Sequence, residues 1–178
     1  MKIRSISRCL AIILCLCLGA AGCGAPKDSP QVSVSKLLNR VKEAYGESYA
    51  PQMPLDTQAL EQRYGLSGDM YVEALGETSL ISVMVDEFVA VRAQQGRADD
   101  VEAALEDYRD YLVNEAVNYP MNTGKINGSL VYRNGNYVFF IMLGDMPQEV
   151  ADGSPEEARA YAARQNEIAV EVIDELLE

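Results

Sequence analysis

The sequence predicts an α+β domain with a mainly antiparallel sheet of three to four strands. Two long helices are expected on one face and short N-terminal helices on the other. Two long segments, residues 99–119 and 155–176, carry apolar residues at helical spacing. Between them, Asn134-Gly135 separates two alternating runs, a pattern typical of a β-hairpin. β-Branched and aromatic runs at Leu80–Val85 and Phe88–Ala93 add strands before the first long helix.

The N-terminal part of the domain predicts short elements. Ser33 or Ser35 can cap a first helix, whose apolar residues recur at helical spacing as far as Tyr45. A second short helix is expected over Asp56–Tyr64, capped by its aspartate and stopped by the glycine that follows. Gly68–Leu75 is interpreted as a further turn. These elements have thin apolar faces and are expected to pack over the sheet.

The central region predicts strands followed by a helix. Leu80–Val85 and Phe88–Ala93 form either two strands or one strand with a bulge at Asp86-Glu87. Acidic residues favour the first turn of the long helix that follows, because they complement the helix dipole. That helix is expected to run to Tyr119, where Pro120 stops it.

The C-terminal region predicts the hairpin and the last helix. Ile126–Arg133 and Asn136–Leu143 are the expected strands, with Tyr132 opposite Tyr137. Because the second strand is apolar on both faces, it should be central in the sheet. A right-handed crossover leaves room for it beside the preceding strand, which gives the order β-α-β-β-α. This order resembles part of a ferredoxin-like sheet. A capping box that begins at Ser154 opens the last helix.

The first 22 residues are typical of a secretory signal peptide. Cations at the start precede an apolar run, Leu10–Leu18, which is too short for the roughly 20 residues of a membrane-spanning helix. The small residues Gly19–Gly22 followed by Cys23 resemble a bacterial lipobox. An ordinary cleaved signal with a coincidental cysteine, or an uncleaved anchor, remains the alternative. We expect a signal peptide over residues 1–22, a lipidated Cys23 and flexible tether over 23–32, and a single domain over 33–178.

Composition limits the possible functions. The chain has 15 Lys and Arg, 27 Asp and Glu, and no His, and removal of the signal leaves a net charge of −15. Such a surface repels nucleic acid and anionic lipid headgroups. All four cysteines lie within the first 23 residues, so no structural disulfide and no Cys/His zinc site is expected. We therefore predict no cofactor and no metal.

Four segments together resemble a known family. They are Val41–Tyr45, Tyr108–Asn114, Tyr119–Asn122 and Gly135–Gly144. The chain resembles an uncharacterised family of Gram-positive bacterial lipoproteins catalogued as domain of unknown function 4358. The resemblance implies an α+β architecture and a lipid-anchored location on the extracytoplasmic side of the cell membrane. It implies no activity and no catalytic residue.

The remaining chemistry favours a binding module over an enzyme. Without His, and with Cys23 lipidated, neither a Ser/His nor a Cys/His nucleophile system can be built. We expect a non-catalytic module that holds an envelope protein, a peptide or a small ligand beside the membrane. The alternative is a hydrolase of cell-envelope glycans that works through two carboxylates. No carboxylate pair in the sequence has a distinguishing pattern.

One face of the predicted sheet is the candidate binding surface. Val131, Val138, Phe140 and Met142 should point away from the two long helices, and apolar side chains of this size are rarely left in water. Leu37, Leu38, Val41 and Tyr45 of the first helix are the expected cover. If they cover the face only in part, a groove remains. Its predicted residues are Tyr119, Met121, Asn127, Ser129, Phe140 and Met142.

Overall fold

The computed structural model describes residues 31–178. The predicted signal peptide, the predicted lipidation at Cys23 and most of the predicted tether lie outside the described residues. Within the described part, Val32–Glu178 form one compact unit. Of the helices described, none is long and apolar enough to cross a membrane.

The unit contains six helices and five strands in the described chain. In order they are α1 (Val34–Tyr45), β1 (Met53–Pro54), α2 (Thr57–Tyr64), β2 (Tyr71–Thr78), β3 (Glu87–Ala93), α3 (Ala98–Asn114), α4 (Thr123–Asn127), β4 (Leu130–Asn134), β5 (Tyr137–Met142), α5 (Gln148–Ala151) and α6 (Pro155–Leu177). The strands form one sheet in the order β1-β2-β3-β5-β4, and every neighbouring pair is antiparallel. The predicted α+β class and antiparallel sheet are confirmed, with five strands instead of three to four.

The two additional strands come from the region before β3. The turn predicted over Gly68–Leu75 is wrong, because Tyr71–Thr78 is a strand that pairs along β3. A strand over Leu80–Val85 is also wrong, because these residues form the loop between β2 and β3. The strand β3 is already paired with β2 on one side and β5 on the other, so the sheet offers the apolar run no further partner there.

The sheet separates two apolar cores, and each long helix packs on a different face. Helix α3 buries Val101 and Leu105 with α2 against the face of Val138 and Phe140. Helix α6 packs with α1 over the opposite face of the sheet. The core on that face includes Phe88, Ala90, Phe139, Ile141, Ala169 and Ile173. The prediction of both long helices on one face is therefore wrong. The periodicity of each helix shows that one side is buried, but not which face of the sheet covers it.

The helix starts follow their local capping signals. Ser33 accepts a hydrogen bond from the backbone N–H of Lys36 and caps α1, as predicted. Ser154 and Glu157 complete the predicted capping box of α6. The end of α3 differs from the prediction, because the helix stops at Asn114, well before Pro120.

The hairpin of β4 and β5 is present, and β5 lies between β3 and β4 as predicted. Its register differs by two residues, because Asn134 pairs with Tyr137 and Tyr132 pairs with Phe139. The connecting pair is therefore Gly135 and Asn136, with Gly135 at a φ of 60°. Since side chains alternate with a period of two, this shift leaves each residue on its predicted face. The first predicted strand is also shorter, because Ile126 and Asn127 belong to α4.

Two glycines set how closely α4 approaches α6. A Cβ built on Gly124 would lie 2.5 Å from the Cβ of Ala158, and one on Gly128 would lie 2.6 Å from the Cβ of Ala162. The site at Gly128 is also closed by backbone, with the carbonyl oxygen of Arg159 at 2.9 Å. Small residues on both elements therefore permit this contact.

Gly128→Ala should lower the free energy of unfolding by about 1–3 kcal/mol, because the added methyl group meets backbone that cannot move aside. Gly68→Ala is the matched control, since nothing lies within 4 Å of its Cβ position. Chemical denaturation monitored by circular dichroism measures both variants. Equal midpoints for the two variants would contradict the close contact between α4 and α6.

Candidate functional site

A buried carboxylate at the start of β3 is held by four side chains. Glu87 is 2% exposed. Its carboxylate accepts hydrogen bonds from the hydroxyls of Tyr64 at 3.0 Å, Tyr108 at 2.8 Å and Thr78 at 3.3 Å. Arg63 completes the set with an ion pair. We call these five residues the Glu87 cluster.

The cluster joins four elements of the fold. Arg63 and Tyr64 end α2, Tyr108 lies on α3, Thr78 ends β2 and Glu87 begins β3. The rings of Tyr64 and Tyr108 pack with centroids 4.4 Å apart. Arg63 also donates to the Tyr108 hydroxyl from Nε at 3.0 Å. The C-terminal end of α2, the middle of α3 and the sheet are therefore fixed relative to one another at this point.

Burial raises the pKa of Glu87 above its ordinary value, while Arg63 and the three hydroxyls act in the opposite direction. The preceding residue, Asp86, is also buried and forms an ion pair with Lys125 at 2.7 Å. Burial raises the pKa of Asp86 as well, against the effect of Lys125. Two adjacent carboxylates in the sequence are thus each buried with a cation.

A cavity of about 320 Å³ lies beside the Glu87 cluster, beneath the loop between β2 and β3. Its lining mixes apolar side chains with a few polar groups. The lining residues are Met53, Arg63, Thr78, Ser79, Leu80, Ser82, Met84, Val85, Glu87, Leu112, Asn118, Ile126 and Met142. Three methionines among them give the cavity flexible, polarisable walls.

Large apolar side chains are exposed on the loop above this cavity and on two neighbouring segments. Leu80 is 63% exposed and Ile81 is 58% exposed, in the middle of the loop between β2 and β3. We define the apolar rim as the exposed residues of this loop and its neighbours. Its members are Met53, Leu80, Ile81, Val83, Met84, Tyr119 and Met121.

The loop that carries most of the rim is held by specific hydrogen bonds. At its base, the backbone N–H of Ser79 donates to the carbonyl of Asp86 at 3.0 Å. A turn within it joins the N–H of Met84 to the carbonyl of Ile81. The side-chain amide of Asn122 donates to the carbonyl of Val83 at 2.8 Å. This last bond brings the loop beside the segment that contains Tyr119 and Met121.

The structure places the predicted binding residues in three environments. Tyr119 and Met121 are exposed and belong to the rim, while Met142 is buried in the cavity wall. Phe140 and Ser129 are buried in the domain, and Ser129 donates its hydroxyl to the carbonyl of Ile126. Asn127 is half-buried at the end of α4. Phe140 packs against Tyr108 of α3, so that helix and not α1 covers this face.

Neither the Glu87 cluster nor the exposure of Leu80 and Ile81 is predicted from the sequence. The available signal is the pair Asp86-Glu87, which interrupts a run of β-branched residues and predicts either a break between two strands or a bulge within one. A charged residue at the first position of a buried strand requires a partner. Its partners, such as Tyr108, lie far away in the sequence.

A second, more open depression of about 640 Å³ lies on the other side of Arg63. Its lining contains the tyrosines Tyr64, Tyr108 and Tyr111 and the carboxylates Asp100 and Asp107. Seven residues of one helix separate these carboxylates, about 10 Å along its axis. Among the described residues, no group of three or more Asp, Glu, Cys or His side chains is arranged to hold a metal ion.

Comparison with known proteins gives a family and no activity. A family model described as a domain of unknown function, DUF4358, matches residues 44–143. The match covers α2, α3, α4 and the whole sheet, and therefore includes the Glu87 cluster and the apolar rim. No curated protein and no solved structure matches the chain.

Glu87→Leu should lower the free energy of unfolding by about 2–4 kcal/mol, because the buried hydroxyls of Tyr64 and Tyr108 lose their acceptor. Glu61→Leu on the exposed side of α2 is the control, with an expected change within about 0.5 kcal/mol. Urea denaturation at neutral pH measures both variants. A Glu87→Leu variant as stable as the control would show that the cluster does not hold α2 and α3 to the sheet.

The stability contribution of Glu87 should depend on pH. Because the folded protein raises this pKa, the contribution is fully present below the unfolded pKa and is lost as the pH rises through the folded pKa. Glu87→Gln cannot titrate at this position. The free energy of unfolding of the wild type minus that of the variant should therefore fall as the pH rises above about 4, the ordinary range of a glutamate pKa. Denaturation at a series of pH values tests this, and a difference that grows with pH would contradict it.

Proposed function

This chain belongs to the family of domain of unknown function DUF4358, and we propose that it is a non-catalytic binding module displayed on the outside of the cell membrane. A lipid on Cys23 would anchor it there. The signal-like segment before Cys23 and the small residues that precede it support this location. The apolar rim around the cavity supports binding.

The exposure of the loop between β2 and β3 is the observation on which the proposal depends. Several large apolar side chains exposed on one loop are typical of interaction sites, while single exposed apolar residues need no explanation. Leu80 and Ile81 are part of a run whose composition favours a buried strand, yet they are among the most exposed apolar residues described. Where a local sequence preference is overridden in this way, a functional role is favoured.

The cavity suits a small group and not a large cofactor. Its volume of about 320 Å³ is at the lower end of the range of ligand pockets. It could receive one bulky side chain of a partner or one small organic molecule. Met53, Leu80 and Met84 at its mouth can adjust to either, because methionine side chains repack easily.

We favour binding over the hydrolase alternative because of how the carboxylates are engaged. In the cavity, Glu87 is the lining carboxylate, and its acceptor positions are occupied by the cluster. In the second depression, Asp100 forms an ion pair with Arg97, and Asp107 lies two helical turns away. Glycosidases hold their two carboxyl groups about 5–9.5 Å apart across the scissile bond. The spacing of Asp100 and Asp107 along the helix axis, about 10 Å, exceeds this range and supports binding over hydrolysis.

Cys23→Ser tests the proposed location. The lipid of a bacterial lipoprotein inserts apolar chains, each CH₂ group contributing about 0.8 kcal/mol to membrane affinity. The variant should leave the membrane fraction for the medium, or accumulate as an uncleaved precursor. Fractionation and the mass of the mature N-terminus measure the change. A mature variant that stays in the membrane unaltered would overturn lipid anchoring at this residue.

Site-specific photo-crosslinking in living cells tests the proposed binding surface. Benzoylphenylalanine in place of Ile81 should give discrete crosslinked products, because this side chain lies in the apolar rim. The same probe in place of Val72, which is 55% exposed but lies away from the rim, is the matched control. Products that appear equally from both positions, or from neither, would contradict binding at the rim.

A further inference from the structure

The exposed methionines of the described chain are concentrated at the apolar rim. Residues 31–178 contain six methionines, of which three are buried or half-buried. The other three are 42–56% exposed, and they are Met53, Met84 and Met121. All three are members of the rim. The exposed thioether sulfurs of the described domain are therefore found on one part of its surface.

Contacts between three segments bring these methionines together. Met53 in β1 and Met84 in the loop between β2 and β3 both line the cavity. Asn122, the residue after Met121, donates its side-chain amide to the carbonyl of Val83 at 2.8 Å. Val83 directly precedes Met84 in the sequence. Three segments that are distant in the sequence thus present methionine side by side.

The thioether is the sulfur group that an oxidant meets at this surface. All four cysteines lie within the first 23 residues, so the described residues contain no thiol. Hydrogen peroxide converts a methionine into its sulfoxide. An S–O bond forms as the O–O bond breaks, the sulfur gives up two electrons, and the second peroxide oxygen leaves as water. An exposed sulfur can react directly, whereas Met142, at 1% exposure, must wait for local opening of the domain.

Oxidation would make the rim polar without disturbing the cores of the domain. A sulfoxide is a strong hydrogen-bond acceptor, and its burial against an apolar partner is unfavourable. Met53 and Met84 line the cavity together with Leu80, so the change affects its apolar walls directly. None of the three exposed methionines belongs to either apolar core that the structure describes. The chemistry therefore acts on the binding surface and leaves the fold beneath it intact.

We propose that Met53, Met84 and Met121 are reversible oxidation sites, and that their conversion to sulfoxides releases the partner from the apolar rim. This inference rests on the proposed binding function and adds its regulation. The reactant is a two-electron oxidant of the peroxide class. A dithiol-dependent methionine sulfoxide reductase reverses the reaction, because the oxygen leaves as water while two thiols form a disulfide.

Peptide mass spectrometry after peroxide treatment tests the modification. The full chain in its own membrane is treated with hydrogen peroxide, and the sulfoxide fraction at each methionine is followed over time. The three rim methionines should oxidise at least about tenfold faster than Met142. Unfolding in urea should make the rates equal, which controls for intrinsic reactivity. Equal rates in the folded protein would overturn selective oxidation of the rim.

Photo-crosslinking in cells tests the effect of oxidation on binding. Benzoylphenylalanine in place of Ile81 should give about tenfold less crosslinked product after peroxide treatment than before it. The matched variant carries Leu at all three rim methionines, which keeps the surface apolar but removes the sulfur. Its products should be unchanged by peroxide, although the partner is exposed to the same oxidant. Gln at the three positions should reduce the products without peroxide, because its amide is polar as a sulfoxide is.

The outcomes separate the regulation from the binding function. An equal loss of products from the unsubstituted rim and from the Leu variant would place the effect on the partner and overturn the regulation, while binding stands. Products that persist although mass spectrometry shows the rim methionines to be oxidised would also overturn it. The absence of any product at position 81 before treatment would overturn the binding function, and the regulation with it.

Discussion

The packing of α2 and α3 on the sheet depends on the buried carboxylate of Glu87, at the start of the central strand β3. Glu87 is held by Arg63 and Tyr64 from α2, Tyr108 from α3 and Thr78 from β2. A carboxylate removed from water is costly unless its acceptor positions are filled, so these elements must meet at one point. Because three of the donors come from helices that cover the same face, the cluster fixes that layer on the sheet. It also forms one wall of the cavity.

The arrangement of the two cores explains why the region beside this cluster is open. Helices α1 and α6 cover one face of the sheet, and α2 and α3 cover the other. Helix α3 ends at Asn114, near the end of the sheet where β2 turns into β3. Beyond it, Asn122 ties the loop between β2 and β3 to the following segment. The apolar side chains of Leu80 and Ile81 are then left outside both cores.

The point where the described chain enters the domain and the apolar rim lie at opposite ends of the sheet. At the entry end, Val32 accepts a hydrogen bond from Tyr137 and Val34 donates one to Glu73. The apolar rim lies at the opposite end, where Arg63 and Lys125 are already neutralised by buried carboxylates.

The sequence by itself determined the features that depend on neighbouring residues. The caps at Ser33 and Ser154, the hairpin and the central position of β5 follow from local chemistry and from a strand apolar on both faces. Tertiary structure decided which face each long helix covers, because helical periodicity identifies a buried side but not its partner. It also decided that Leu80–Val85 forms an exposed loop, since β3 already has two neighbours. The role of Glu87 depended on contacts with residues as distant as Tyr108, and no local pattern encodes such contacts.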